Sequence, residues 1–197
     1  MRRYQQEMET LLTGRKPRVL LHVCCAPCAS AVLTRLAPHT SLTLLYYNPN
    51  IRPAAEHARR LAELRRLLAE MDGMSALTLL APEMDAAAFD AVAAGHMDEP
   101  EGGARCAACF TLRLSYTARL AAAQSFDFFC TTLTVSPHKD AELINTIGEA
   151  VGAENGVAWL PADFKKNDGY RRSVALSAQY GLYRQRYCGC LPLKENT

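Results

Sequence analysis

Seven of the eight cysteines in this 197-residue chain fall into three tight groups: Cys24-Cys25-Ala-Pro-Cys28, Cys106-Ala-Ala-Cys109 and Cys188-Gly-Cys190. Thiolates are nucleophiles, redox groups and soft metal ligands, and spacing narrows the choice. Cys106 and Cys109 stand three positions apart, so a helical turn puts both on one face, where they can clamp a single metal. The lone glycine between Cys188 and Cys190 lets the chain bend sharply, so both sulfurs can reach one centre or two adjacent ones. Cys24 and Cys25 are consecutive, and consecutive side chains of extended chain point apart, so they are expected not to serve one metal in the same way. Seven thiols exceed the four that a zinc ion or a cubane iron-sulfur cluster needs, which implies a second centre or free reactive thiols. Spacing alone leaves open an iron-sulfur protein, a structural zinc site and a dithiol redox protein. The last is suggested by Cys25-Ala-Pro-Cys28, which has the form of a thioredoxin-type motif but gives the other two groups nothing to do. Cys130, inside the apolar run Phe126 to Leu133, reads as a small core residue.

The segments that carry these thiols alternate between strand and helix. Val19 to Val23 is a β-rich apolar run, bounded by Lys16-Pro17-Arg18 before it and Pro27 after it, and reads as a buried strand. It delivers the first cysteine group to its carboxyl end, the edge where open α/β sheets bind ligands. Pro27 suits the first turn of a following helix, whose amides favour thiolates, and helical spacing continues over 29–36. Further strands are expected at 41–47, 76–81, 126–133 and 157–160. Helices are expected at 1–13, 53–72, 84–94 and 106–123, from Pro137 to Gly152, and at 170–180. Over 53–72 the leucines form one stripe, with the arginines outside. The pattern predicts a three-layer α/β fold with a mostly parallel sheet covered on both faces. One domain is expected over 1–197, with 1–17 as a peripheral N-terminal helix.

The apolar fraction of 49% is ordinary for a packed globule, and a net charge of +2 does not by itself imply a nucleic-acid partner. The N-terminus lacks a hydrophobic signal region, and no apolar stretch approaches the roughly 20 residues needed to span a bilayer, so a cytoplasmic protein is expected. In that reducing compartment clustered cysteines are ligands or redox groups rather than disulfides. Neither a Gly-x-x-x-x-Gly-Lys-Ser/Thr run nor a Gly-x-Gly-x-x-Gly run occurs. ATP, NAD and flavin are therefore not expected to bind directly, and electrons should come from an external donor protein.

Taken together, His22-Val-Cys-Cys-Ala-Pro-Cys28, Tyr47-Asn-Pro-Asn-Ile51 with Pro53 and Glu56, Arg105-Cys-Ala-Ala-Cys-Phe110 with Arg113-Leu114 and Thr117-Ala118, Thr131-Thr-Leu133 with Ser136-Pro137, and Leu182-Tyr-Arg-Gln-Arg-Tyr-Cys-Gly-Cys190 closely resemble the QueH family of epoxyqueuosine reductases. The matching residues run from about 20 to 190. The resemblance implies a sheet of the adenine-nucleotide-hydrolase-like (HUP-like) type, a [4Fe-4S] cluster and an adjacent mononuclear iron. It also implies an iron-sulfur oxidoreductase of queuosine biosynthesis, which removes the epoxide oxygen of epoxyqueuosine at the tRNA wobble position with two electrons and two protons. Readings from other classes are a thiol-disulfide oxidoreductase and a zinc-stabilised RNA-binding module.

The resemblance does not say which cysteine serves which centre; our own reading assigns Cys24, Cys106, Cys109 and Cys188 to the cluster, while Cys25, Cys28 and Cys190 hold or flank the second metal and act in catalysis. Candidate proton donors are His138, Lys139, Asp140, Asp163 and Tyr187. His22 reads equally as a core imidazole or as a partner of the metal ligands. Asn48 and Asn50, at another strand's carboxyl end, suit substrate contact. Arg52, Arg113, Arg171, Arg172, Arg184 and Arg186 are candidate tRNA contacts, and Tyr183 or Tyr187 could stack on a base.

Overall fold

A computed structural model describes residues 3–190 of the chain. Its centre is β1 (Arg18–His22), in which every residue after the first is buried. Val19, Leu20 and Leu21 expose nothing to solvent, as expected of a strand covered on both faces. β1 pairs with β2 (Ser41–Leu45) on one side, in the register Leu20 to Thr43, and with β4 (Phe128–Thr131) on the other, in the register Leu20 to Phe129. The edges are β3 (Thr78–Leu80) and β5 (Ala158–Trp159), giving the order β3-β2-β1-β4-β5 with every pairing parallel. The chain moves outward from β1 through β2 to β3, then returns to the far side of β1 for β4 and β5. The order therefore reverses between β1 and β4, and a crevice opens beyond their carboxyl ends.

Seven helices are present among the described residues: α1 (Tyr4–Leu12), α2 (Ala26–Leu36), α3 (Ala54–Glu70), α4 (Ala86–Ala93), α5 (Ala104–Ala123), α6 (Ala141–Asn155) and α7 (Gly169–Gln179). With the five-stranded sheet they make the expected three-layer α/β architecture. α1 turns Met8 and Leu12 into the core.

Several boundaries differ from the sequence reading, and three of them have a clear physical cause. The fourth strand stops at Thr131, because Thr132–Val135 winds into a single 3-10 turn whose Leu133 amide donates to Thr131 Oγ1 at 3.2 Å. α6 starts at Ala141 rather than Pro137, since the Asp140 carboxylate accepts from the amides of Glu142 (2.8 Å) and Leu143 (3.2 Å) and so caps the helix there. It then runs through Gly152 to Asn155, where Gly156 ends it with a left-handed φ of +69°. Gly152 is not a terminator but a point of close approach. A Cβ at that position would lie 2.7 Å from the Val157 carbonyl oxygen, and one at Gly148 would lie 2.4 Å from the Trp159 ring.

Candidate metal and redox site

The first cysteine group leaves β1 directly into α2. Cys25 is extended (φ −170°, ψ 162°), and Ala26 begins the helix with Pro27 in its first turn. Two serines fix this turn, since Ser30 Oγ donates to the Pro27 carbonyl at 2.9 Å and Ser173 Oγ of α7 donates to it at 2.7 Å. The Cys24 amide reaches across the crevice to Thr132 Oγ1 at 3.2 Å. This strand-to-helix bend overturns the expectation that Cys24 and Cys25 diverge, because their sulfurs are 3.7 Å apart. With Cys28 they form a triad whose sulfurs all lie within 4.8 Å of one another, close enough to share a metal.

The second group opens α5, where Cys106 and Cys109 are both buried. The Gly102 amide donates to Cys106 Sγ at 3.2 Å, and Arg113, one turn beyond Cys109, places Nη1 3.9 Å from Cys109 Sγ. The third group is held by α3. Arg60 Nη1 donates to the Cys188 carbonyl at 2.9 Å, and the Arg52 amide donates to the Gly189 carbonyl at 2.8 Å. Gly189 has φ +101°, and a Cβ on it would sit 3.3 Å from both Arg60 and Ile51. Backbone conformation and space thus both call for glycine here. Cys109 and Cys190 pack together with Phe89 and Ala93 of α4, with Cys188 against them. Segments more than 160 positions apart thereby gather around one cavity of ≈ 220 Å³, lined by Cys24, Cys25, Cys28, Cys188, Asn50, Arg113, Lys139, Arg184, Gln185 and Tyr187, among others.

Two fixed cations face these sulfurs. Arg113 is 2% exposed. Its Nη2 donates to Asn48 Oδ1 at 2.5 Å, and its Nε donates to His22 Nε2 at 3.3 Å. The same His22 Nε2 lies 3.1 Å from the Tyr47 carbonyl oxygen, and Nδ1 lies 2.7 Å from Thr131 Oγ1, so both ring nitrogens have partners. Burial, reinforced by Arg113, lowers the His22 pKa to about 3, and the imidazole is neutral. The second cation, Lys139, enters the cavity from the segment before α6.

The thiols are shifted in opposite directions. Hydrogen bonds from Cys25 and Cys28 hold Cys24 well below the ordinary thiol range against the cost of burial, with help from the Arg113 charge. The same bonds push Cys25 and Cys28 up. Cys188 is lowered first by its bond with Cys190, which is raised in turn, and further by Lys139 and Arg113. Burial raises Cys109. Binding a metal would displace the remaining thiol protons.

The other residues singled out from sequence are sorted by this geometry. Asn50 lines the cavity with its Oδ1 buried and unpartnered, whereas Asn48 is consumed behind it by Arg113 and, through Nδ2, by the Val23 carbonyl at 2.9 Å. Arg184 lines the cavity beside Tyr170 and donates to Ser177 Oγ at 3.0 Å; Arg186, Tyr187 and His138 also line it. Tyr183 lies instead under the Arg59 guanidinium, with its hydroxyl on Glu56. Arg113 is too deep for a backbone phosphate, and Arg52 is paired with Asp90. Arg171 and Arg172 are exposed on α7. Asp140 is the α6 cap, and Asp163 pairs with Lys165 at 3.3 Å. Cys130 is completely buried in β4. One arginine expected on the outer face of the third helix is inside: Arg60, 3% exposed, forms a buried ion pair with Glu56 at 2.7 Å. Its i,i+4 spacing from Glu56 was the available signal. Glu101, Gln185 and Tyr170 carried no comparable mark in the sequence.

An all-parallel α/β sheet, with thiols of the first and third cysteine groups lining a cavity at its switch point while Cys106 and Cys109 stay outside that lining, defines a class: a cysteine-rich α/β protein whose Cys24, Cys25 and Cys28 could hold a metal. Residues 19–195 match the family model described as epoxyqueuosine reductase QueH. The chain is 41% identical over 178 residues to the epoxyqueuosine reductase QueH of Streptococcus pyogenes, covering 89% of this chain and 70% of the relative. It is 38% identical to that of Staphylococcus epidermidis (90% and 76% covered) and 35% identical to that of Dehalococcoides mccartyi (89% and 91% covered). The chain belongs to the QueH family. No helix among the described residues is long and apolar enough to cross a membrane.

Proposed function

We propose that this protein is an epoxyqueuosine reductase, which removes the epoxide oxygen of epoxyqueuosine in tRNA to leave an alkene and water. The observation that carries the reading is the convergence of the Cys24, Cys25 and Cys28 sulfurs within 4.8 Å of one another, on a cavity that also contains Cys188. An all-thiol donor set beside two cations suits a thiolate-bound, electron-accepting metal centre. Cys24, Cys106, Cys109 and Cys188 would hold a [4Fe-4S] cluster, and Cys25, Cys28 and Cys190 an adjacent iron. In support of this division, Cys24, Cys109 and Cys188 all act on the charge of Arg113, while Cys24 also touches Cys25 and so joins the two sets. When bound, such centres supply single-electron transfer and a Lewis acid.

The rest of the work falls to this chain's own groups. Arg113 offsets the thiolate charge from a position solvent cannot reach. The unpartnered Asn50 Oδ1 offers an acceptor to a substrate hydroxyl or N–H. Tyr187 and Arg184 frame the cavity where the modified nucleotide enters, and the exposed Arg171 and Arg172 take the flanking phosphates. Electrons come from an external donor protein acting twice.

Anaerobic purification followed by iron and acid-labile sulfide analysis, and a single-turnover assay on epoxyqueuosine-containing tRNA with a chemical reductant, test the proposal. Iron, sulfide and conversion to queuosine are expected. A colourless zinc protein, or a metal-free dithiol that carries out exchange, would overturn it.

A further inference from the structure

Reduction of an epoxide to an alkene breaks two carbon-oxygen bonds, forms one carbon-carbon π bond, and consumes two electrons and two protons as the oxygen leaves as water. A one-electron reductant of low potential, used twice, supplies the electrons, but the protons must come from a group in the cavity. We propose that Lys139 is that donor, with Glu101 as the carboxylate that holds it and returns protons to it from solvent; the inference rests on the reaction proposed above.

Of the five candidate donors, two do not line the cavity: Asp140, which caps its helix, and Asp163, which is ion-paired with Lys165. His138 and Tyr187 line the cavity, but among the described residues neither forms an ion pair with a group that reaches solvent like the one Lys139 makes. Lys139 also lines the cavity, and its side chain is 14% exposed. Its Nζ stands 3.6 Å from Glu101 Oε1, and Glu101 is half exposed, so the pair runs from the cavity to bulk water.

The groups facing Lys139 belong to four segments. Cys24 and Cys28 lie on the first turn, Cys188 on the last, and Glu101 on the loop before α5; burial works against the ammonium, and these groups favour it. From the fourth side Lys165, paired with Asp163, donates from Nζ to the Lys139 carbonyl at 3.3 Å and fixes that backbone. An alkylammonium is too weak an acid to protonate a bound alcohol. It is strong enough for the alkoxide and hydroxide that appear only as the carbon-oxygen bonds break, so it releases its proton when the reaction needs it. The first proton goes to the oxygen as the first bond breaks. After Glu101 relays a replacement, the second completes water.

Lys139→Arg keeps the charge and removes the transferable proton, and Lys139→Ala removes both. With epoxyqueuosine-containing tRNA under anaerobic single-turnover conditions, both variants are expected to be slowed 10²- to 10⁴-fold. Iron content and tRNA affinity should stay within twofold of the parent. Ethylammonium added to Lys139→Ala should restore at least tenfold of the rate, with more acidic alkylammonium ions doing better, whereas guanidinium should not. A Lys139→Arg variant within threefold of the parent overturns the assignment, as does the absence of amine rescue. Where a Lys139 variant takes up no iron, Glu101→Gln decides instead: it should slow the single turnover at least threefold, and an unchanged rate overturns the Lys139–Glu101 assignment. If the parent itself leaves epoxyqueuosine intact, the reaction proposed above fails rather than Lys139 alone.

Discussion

Arg113 Nη2 donates to Asn48 Oδ1 at 2.5 Å, with both side chains almost wholly buried, and so ties α5 to the turn that follows β2. Asn48 in turn donates to the Val23 carbonyl, one residue before the cysteine triad, so a single polar chain joins the segments carrying Cys109 and Cys24. His22 completes the link from beneath. No carboxylate is hydrogen-bonded to this arginine among the described residues. Its counter-charge is the thiolate set.

Removing one end of this link should therefore cost more than a hydrogen bond. Asn48→Leu leaves a buried guanidinium short of an acceptor, and a loss of about 3 kcal/mol in the unfolding free energy of the metal-free protein is expected. Urea unfolding under anaerobic reducing conditions measures it. A loss below about 1 kcal/mol would show that the link is not holding these segments together.

Gly189 makes a second prediction. Gly189→Ala must hold φ near +101° and place a methyl 3.3 Å from Arg60 and Ile51. A cost of about 1 to 3 kcal/mol is expected, concentrated in the turn that presents Cys188 and Cys190. Iron bound per chain should fall more steeply than the thermal midpoint, which compares the turn with the whole fold. Unaltered iron content would contradict this.

Serine replacements should sort the sulfurs. Cys106→Ser and Cys109→Ser are expected to abolish the cluster absorbance and the reductase activity together. Cys130→Ala should keep both and lose only about 1 kcal/mol, since Cys130 is buried in β4 among core residues. Normal iron and activity after either α5 replacement would rule out the ligand set proposed here.

The exposed arginines of α7 predict salt dependence. If Arg171 and Arg172 neutralise tRNA phosphates, charge-removing changes at both should lower the slope of log affinity against log salt by about one to two. The same changes should leave the rate on saturating tRNA within threefold. Fluorescence anisotropy of a labelled anticodon stem-loop measures the slope. A slope identical to that of the parent would move the tRNA to another face.

Local pattern was enough to specify the architecture. Apolar runs such as Val19 to Val23, the leucine stripe of α3 and the prolines and glycines between them made a parallel α/β sheet legible, because strand and helix periodicities are properties of neighbouring residues. The three cysteine groups were equally plain as chemistry. What the tertiary structure alone decided was the arrangement of their sulfurs and the company they keep. The strand-to-helix bend at Cys25 brings together two sulfurs that an extended chain would separate. Arg60 and Arg113 were expected to face outward, yet they are interior cations, because Glu56, Cys188 and Asn48 are packed around them as acceptors. Glu101 and Lys139 are 38 positions apart and meet because α5 and α6 both start beside the same cavity. Sequence spacing fixes what a segment can present, whereas long-range packing fixes which segments meet, and the charge balance of this site depends on the second.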